Sequence, residues 1–200
     1  MNIFTRISNV LDDPLATFRI FERTIGVVCM TIPALLRLAD KGNTGFRESI
    51  SDYVYMSDSY IYGMLLCMAA MLFVFNGAVY FRNSSSLGLQ RAGSWYNVVL
   101  GVSLLGIILF PDHQYVVVHY FFAGVFFLGN AVVIGLFHNT RDRVISIVLA
   151  VVTVAAIGLH YAGVWSLLVG EWVSLAVIAA HFIMQARGPL GRSVIPSGGS

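Results

Sequence analysis

The sequence predicts an all-α fold: a polytopic bundle of six transmembrane helices. Three observations predict it. Hydrophobic residues make up 58% of the 200 residues and charged residues 11%, against roughly 25% charged in ordinary soluble domains. Six apolar runs approach the ~20 residues needed to cross a hydrocarbon core. Basic residues fall unevenly on the links between those runs, the bias that orients membrane helices.

The first run is Thr24–Leu38, extended by Phe18–Phe21. The second is Tyr60–Phe81, the third Trp95–Phe110, the fourth Tyr115–Phe137, the fifth Val144–Leu159 and the sixth Val164–Met184. Backbone groups cannot stay unpaired in lipid, and no short alternating segments of the barrel type occur, so the runs are read as helices. The links Pro111–Gln114 and His160–Gly163 are tight and imply antiparallel helical hairpins. The link from Ala39 to Ser59 is long and polar, and long links of this kind are often functional. The expected organisation is a cytoplasmic N-terminal segment (1–23), a six-span domain (24–184) with an outer loop (39–59), and a disordered Gly/Ser/Pro-rich cytoplasmic tail (185–200). No cleavable leader is expected, because the first residues are polar and no small-residue cleavage site follows the first apolar run.

Charge sets the orientation. Arg6, Arg19, Arg23, Arg82, Arg91, Arg141, Arg143, Arg187 and Arg192 fall on one side, and Arg37, Lys41 and Arg47 on the other. The positive-inside rule then places both termini in the cytoplasm of a plasma (inner) membrane, with the long loop outside. A net charge of +2 without a basic stripe argues against a nucleic-acid partner. Membrane lipids are the expected partners, with self-association or a partner membrane protein as further options. Cys29 and Cys67 both lie in apolar runs and form neither a disulfide framework nor a metal spacing.

Glu171 stands out as a carboxylate well inside an apolar run. Ionisable groups at such depth are costly, face the bundle interior and have partners. It lies about two turns, roughly 10 Å, into the sixth run, and His119 lies about one turn into the fourth, so the two share a depth. The expected pocket gathers Ser49, Ser51, Asp52, Tyr53, Asp112, His113, His119 and Glu171. Each also has a structural reading: an interhelical hydrogen bond for Glu171, a backbone partner for His119, interfacial solvation for His113 and His160, and a helix N-cap for Asp52. Asp58 and Ser59 fit the cap of the second run better. His138 and His181 fall toward the cytoplasmic side. No nucleotide-binding, zinc-protease, serine-hydrolase or CxxC motif occurs. No Lys lies in a span, which excludes a retinal-type Schiff base.

SISDYVYM at Ser49–Met56 follows a first span containing Pro33. Phe110-Pro111 closes the third span, Val118-His119-Tyr120 opens the fourth, and Glu171 stands in the last. This order resembles a signature of uncharacterised bacterial six-span membrane proteins of the DUF998 group, loosely similar to the Frag1/DRAM/Sfk1 type. Val54 and the SDSYIYG segment depart from that pattern. The resemblance implies the fold and the residues of interest, and supplies no activity.

Two function classes follow. The first is a non-enzymatic membrane protein binding a lipid or small solute in an outward-facing polar pocket. The alternative is a membrane-embedded, metal-dependent lipid hydrolase or transferase. There His119, Asp52 or Asp112, and Glu171 or His113 would supply the ligands, with His119, Asp52 and Glu171 the first choice, and zinc is expected from the need for about three protein ligands and an open position.

Overall fold

A computed structural model describes residues 14–83, 93–137 and 143–187. Arg6, Arg91, Arg141, Arg192, His138 and the tail beyond Arg187 lie outside the described residues. The elements are α1 (Pro14–Ala39), a 3₁₀ turn (Ser51–Tyr55), α2 (Ser59–Arg82), α3 (Tyr96–Leu109), α4 (Val116–Phe137), α5 (Arg143–Tyr161) and α6 (Leu167–Arg187). The helices close a ring in chain order, each packing on the next and α6 returning to α1.

The structure corrects the expected six crossings. Six helices form the bundle, but among the described residues only α2, α4, α5 and α6 are long and apolar enough to cross a membrane. α1 has the length, at 26 residues, but Arg19, Glu22, Arg23 and Arg37 leave no long stretch of it free of charge. α3 has the apolarity but only 14 residues, short of the ~20 a crossing takes. Large apolar side chains such as Met64, Val117, Leu136, Val144 and Val151 stand exposed on the four long helices. A soluble monomer rarely shows such a surface, so the protein is a membrane-embedded, multi-pass one.

Small residues decide how closely the helices approach. A Cβ on Gly101 would lie 2.6 Å from the Ala70 carbonyl, and one on Gly77 would lie 2.8 Å from the Val98 nitrogen. These two glycines let α3 lie against α2. Below the loops, Phe73 meets Phe126 and Phe182 edge-on, with centroids 5.8 and 5.7 Å apart, the geometry aromatic quadrupoles favour.

α4 is interrupted by a π turn, Val125–Gly129. A π turn inserts an extra residue and rotates the face that follows; such turns recur at functional sites. Tyr96 donates its hydroxyl to the Val125 carbonyl at 2.8 Å. It reaches there because Gly129 has no side chain: a Cβ at that position would collide with the Tyr96 oxygen. The rotation places the neighbours Phe126 and Phe127 both inside the bundle while His119 stays inside above them.

Candidate functional site

The long loop folds back into the bundle. Asp40, at the end of α1, accepts two hydrogen bonds from the Arg47 guanidinium, at 2.7 and 3.1 Å, the bidentate form that fixes orientation as well as distance. Arg37 donates to the Asn43 and Thr44 carbonyls and lies over the Phe46 ring. Beyond these clasps, the Ser49 N–H donates to Asp52 Oδ2 and the Asp52 N–H to Ser49 Oγ, both at 3.1 Å. This reciprocal pair is a capping box, and it starts the 3₁₀ turn. The cap expected at Asp58 forms no side-chain hydrogen bond. The turn then drives Ile50, Tyr53 and Met56 into the core.

The infolded loop and its 3₁₀ turn form a plug that is tied to α6 at two points. The Ile50 N–H donates to Glu171 Oε2 at 2.6 Å, and the Leu168 N–H donates to the Glu48 carbonyl at 2.8 Å. The partner of Glu171 is thus a loop backbone group 121 residues away, not a side chain on a neighbouring helix. His119, 3% exposed, places Nδ1 2.8 Å from the Phe110 carbonyl. A carbonyl only accepts, so Nδ1 carries a proton, and in the neutral ring Nε2 is then an acceptor.

Two cavities meet at these groups. The deeper, of about 50 Å³, has an apolar floor of Cys29, Leu66, Phe73, Leu104 and Leu175. The second, a cleft of about 160 Å³, is lined by Ser49, Ser51, Asp112, His119 and Glu171. Tyr120, Gly124 and Leu128 of α4 and Ile157 and Tyr161 of α5 continue its walls. Ser51, His119 and Glu171 line both cavities, together with Ala123 and Phe127. A Cβ built on Gly124 meets nothing within 4 Å, so the cleft is open at that point. The shared depth expected for His119 and Glu171 therefore corresponds to a shared space.

Tyr53 is fully buried beside Arg47 and lines neither cavity. Asp112 and His113 sit at the rim. Tyr55 donates its hydroxyl to Asp112 Oδ1 at 3.0 Å, receives the His113 N–H at 3.1 Å, and stacks on the His113 ring at 4.2 Å. Among the described residues, the three whose ligand atoms converge, within 4.8 Å, are Asp52, Asp112 and His113. Of the first-choice trio of His119, Asp52 and Glu171, only Asp52 belongs to this set, which is completed by the alternatives Asp112 and His113; His119 and Glu171 line the cavities instead. Asp, Asp and His are donors that could coordinate a metal ion. Burial pushes the Asp52 carboxyl above the usual carboxylate range, and the charge of Asp112 adds to that, against the Ser49 N–H that favours the ionised form.

His160 takes no part. Its Nδ1 lies 3.3 Å from the Trp165 carbonyl, and the Trp165 indole donates to the Ala156 carbonyl, which closes the α5–α6 turn. Two features escape a reading of the sequence. Glu22, inside α1, is fully buried, where the sequence places it in a cytoplasmic segment. At the end of the bundle away from the loops, Asn97 donates to Asn76 at 2.5 Å and His181 pairs with Gln185 at 2.8 Å. Asn97, Asn130, His181 and Gln185 line a cavity of only about 10 Å³. The available signal was three lone Asn residues in apolar runs, the kind that bond across membrane helices.

No curated protein and no solved structure matched the chain. A family model does match over residues 31–186, a stretch that takes in every site residue from Ser49 to Glu171, and the chain belongs to that family of unknown function, DUF7103.

Proposed function

We propose that the protein binds a membrane lipid at its loop end without transforming it. The headgroup lies against Ser51, His119 and Glu171, and the lipid enters sideways between α4 and α5. In this reading both termini are cytoplasmic and the lipid comes from the outer leaflet of the plasma membrane. The observation that carries it is the cleft itself. Its lining grades from polar Ser49, Ser51, His119 and Glu171 to apolar Leu128 and Ile157, and it lies between two helices whose other faces are exposed and apolar. Ligand sites of this kind are mostly apolar, with a few convergent polar groups.

The test is the lipid that stays with the purified protein. Gly124→Leu fills the open part of the cleft and keeps a helical backbone, and should lose the lipid that wild type and Gly124→Ala retain. Equal retention by Gly124→Leu, measured by native mass spectrometry, would exclude the cleft.

The convergence of Asp52, Asp112 and His113 favours one second reading, a metal-dependent lipid hydrolase or transferase with a metal such as zinc at the rim. It requires near-stoichiometric metal in the purified protein that His113→Ala loses. Metal that persists in His113→Ala, or none in wild type, would end it.

A further inference from the structure

Resting on the lipid-binding reading, we infer that the ligand is a lipid with a primary ammonium headgroup, and that one of its acyl chains lies in the groove between the lower halves of α4 and α5.

The headgroup class follows from what the cleft offers. His119 presents Nε2 as an acceptor, because Nδ1 is committed to Phe110. Its side chain is more than nine-tenths buried, and Nε2 makes no hydrogen bond among the described residues. Glu171 spends Oε2 on Ile50, and its other oxygen has no hydrogen bond among the described residues. Asp112 adds a carboxylate at the rim. No Lys or Arg lines either cavity, and Arg37 and Arg47 are held by loop carbonyls and by Asp40. An anionic headgroup would meet acceptors and carboxylates. A quaternary ammonium would bring charge but no N–H. A primary ammonium brings charge and three donors, and hydrogen bonds of that kind are the stronger ones.

The chain position follows from the register of the helices. Tyr120, Gly124 and Leu128 of α4 line the cleft, and Val132 and Leu136, past the π turn on the same helix, line an open apolar groove of about 470 Å³. On α5 the groove residues Val154 and Val151 lie about one and two turns from the cleft residue Ile157. The stretch of α4 from Tyr120 to Leu136 spans roughly 24 Å at about 1.5 Å per residue, more than half of a ~30 Å hydrocarbon core. Small residues line the groove (Ala131, Gly135, Ala150, Ala155), so it is recessed below the side chains around it.

The experiment offers the detergent-purified protein an equimolar mixture of phosphatidylethanolamine, phosphatidylcholine, phosphatidylglycerol and a diacyl glycolipid with the same chains. Bound species are then counted by native mass spectrometry. The ethanolamine lipid should be enriched about tenfold over the choline lipid, the scale of one additional charge-assisted hydrogen bond. His119→Leu should flatten that preference while lipid remains bound. Ala155→Trp, a change at an exposed position, should lower occupancy for all four lipids alike. Equal retention of the four lipids by wild type, or preference for the anionic or sugar headgroup, overturns the headgroup assignment and leaves lipid binding standing. Unchanged occupancy in Ala155→Trp overturns the acyl groove. Wild type that holds no more lipid than Gly124→Leu overturns the lipid-binding reading itself.

Discussion

The two ends of the bundle both bury polar groups, and they use them differently. At the end away from the loops, Asn97 bonds Asn76 across α2 and α3, His181 and Gln185 pair one turn apart on α6, and Asn97, His181 and Gln185 line space for about one water. At the loop end, Glu171 and His119 each bond a backbone group and turn a remaining acceptor toward a cavity. Polar side chains that bond one another, across two helices or along one, are used up within the bundle. Polar groups held in place by backbone, with acceptors left over, are arranged for something that arrives. The contrast depends on the backbone partners: without the Ile50 N–H and the Phe110 carbonyl, neither side chain would have a fixed direction.

The strongest way to break the contrast is Glu171→Leu. It leaves the Ile50 N–H without its acceptor, a loss of about 1–3 kcal/mol for a buried group, and it releases one of the two ties between the plug and α6. Trypsin should then cut at Lys41 and Arg47 in reconstituted protein where wild type resists, and bound lipid should be lost. Glu171→Gln keeps an acceptor and should stay protected. Equal protection of the Leu variant would mean that the tie to Glu171 does not hold the loop. Asn97→Ala probes the other end. It should lower thermal stability in detergent by about 0.6–1.7 kcal/mol, the range of hydrogen bonds between membrane helices, and leave lipid occupancy unchanged. A fall in occupancy without a fall in stability would erase the distinction between the ends.

Much of the loop end was legible in the sequence. His119 and Glu171 could be placed at one depth by counting residues from the ends of apolar runs, and the length of the 39–59 link marked it as more than a connector. What escaped has physical causes. The partner of Glu171 is a backbone N–H, which every residue except proline possesses, so no side chain announces it. The metal-type set settled on Asp52, Asp112 and His113 because the Ser51–Tyr55 turn meets the turn between α3 and α4 through Tyr55, a contact between two turns that counting depth along helices does not reveal. The count of crossings failed at α1 and α3 because apolar runs were read with their flanks, whereas the charges of Arg19, Glu22 and Arg23 lie within α1 itself and α3 closes after 14 residues. The π turn in α4 depends on a contact between Tyr96 and Val125, 29 residues apart, and local propensity does not encode it.

That contact gives a milder test, because Tyr96 belongs to the start of α3 near the far end yet bonds the turn that sets the face of α4. Tyr96→Phe removes one hydrogen bond, worth about 0.5–1.5 kcal/mol. If the π turn positions the cleft, lipid occupancy should fall by more than this small loss of stability would explain. If occupancy follows stability alone, the turn is a packing feature and the two ends are independent.

The smallest expected effect sharpens the choice between lipid and metal at the rim. Burial and Asp112 raise the Asp52 pKa on folding. A carboxyl raised in this way contributes stability below its unfolded value, about 3.9, and loses it as pH rises through the folded value. Asp52→Asn does not titrate and can still accept the Ser49 N–H. In chelator-treated protein it should therefore be more stable than wild type at neutral pH, by less than about 1 kcal/mol for so exposed a cluster. The gain should vanish below pH ~4, where Asp52 is protonated in both states. A resident cation reverses the sign, since it favours the ionised carboxyl and makes wild type the more stable protein at neutral pH. Melting both proteins with chelator and with added zinc thus reads the rim directly. The same order of stability in both conditions is what a lipid site with an unmetallated rim requires, and an inversion on adding zinc is what the metal reading requires.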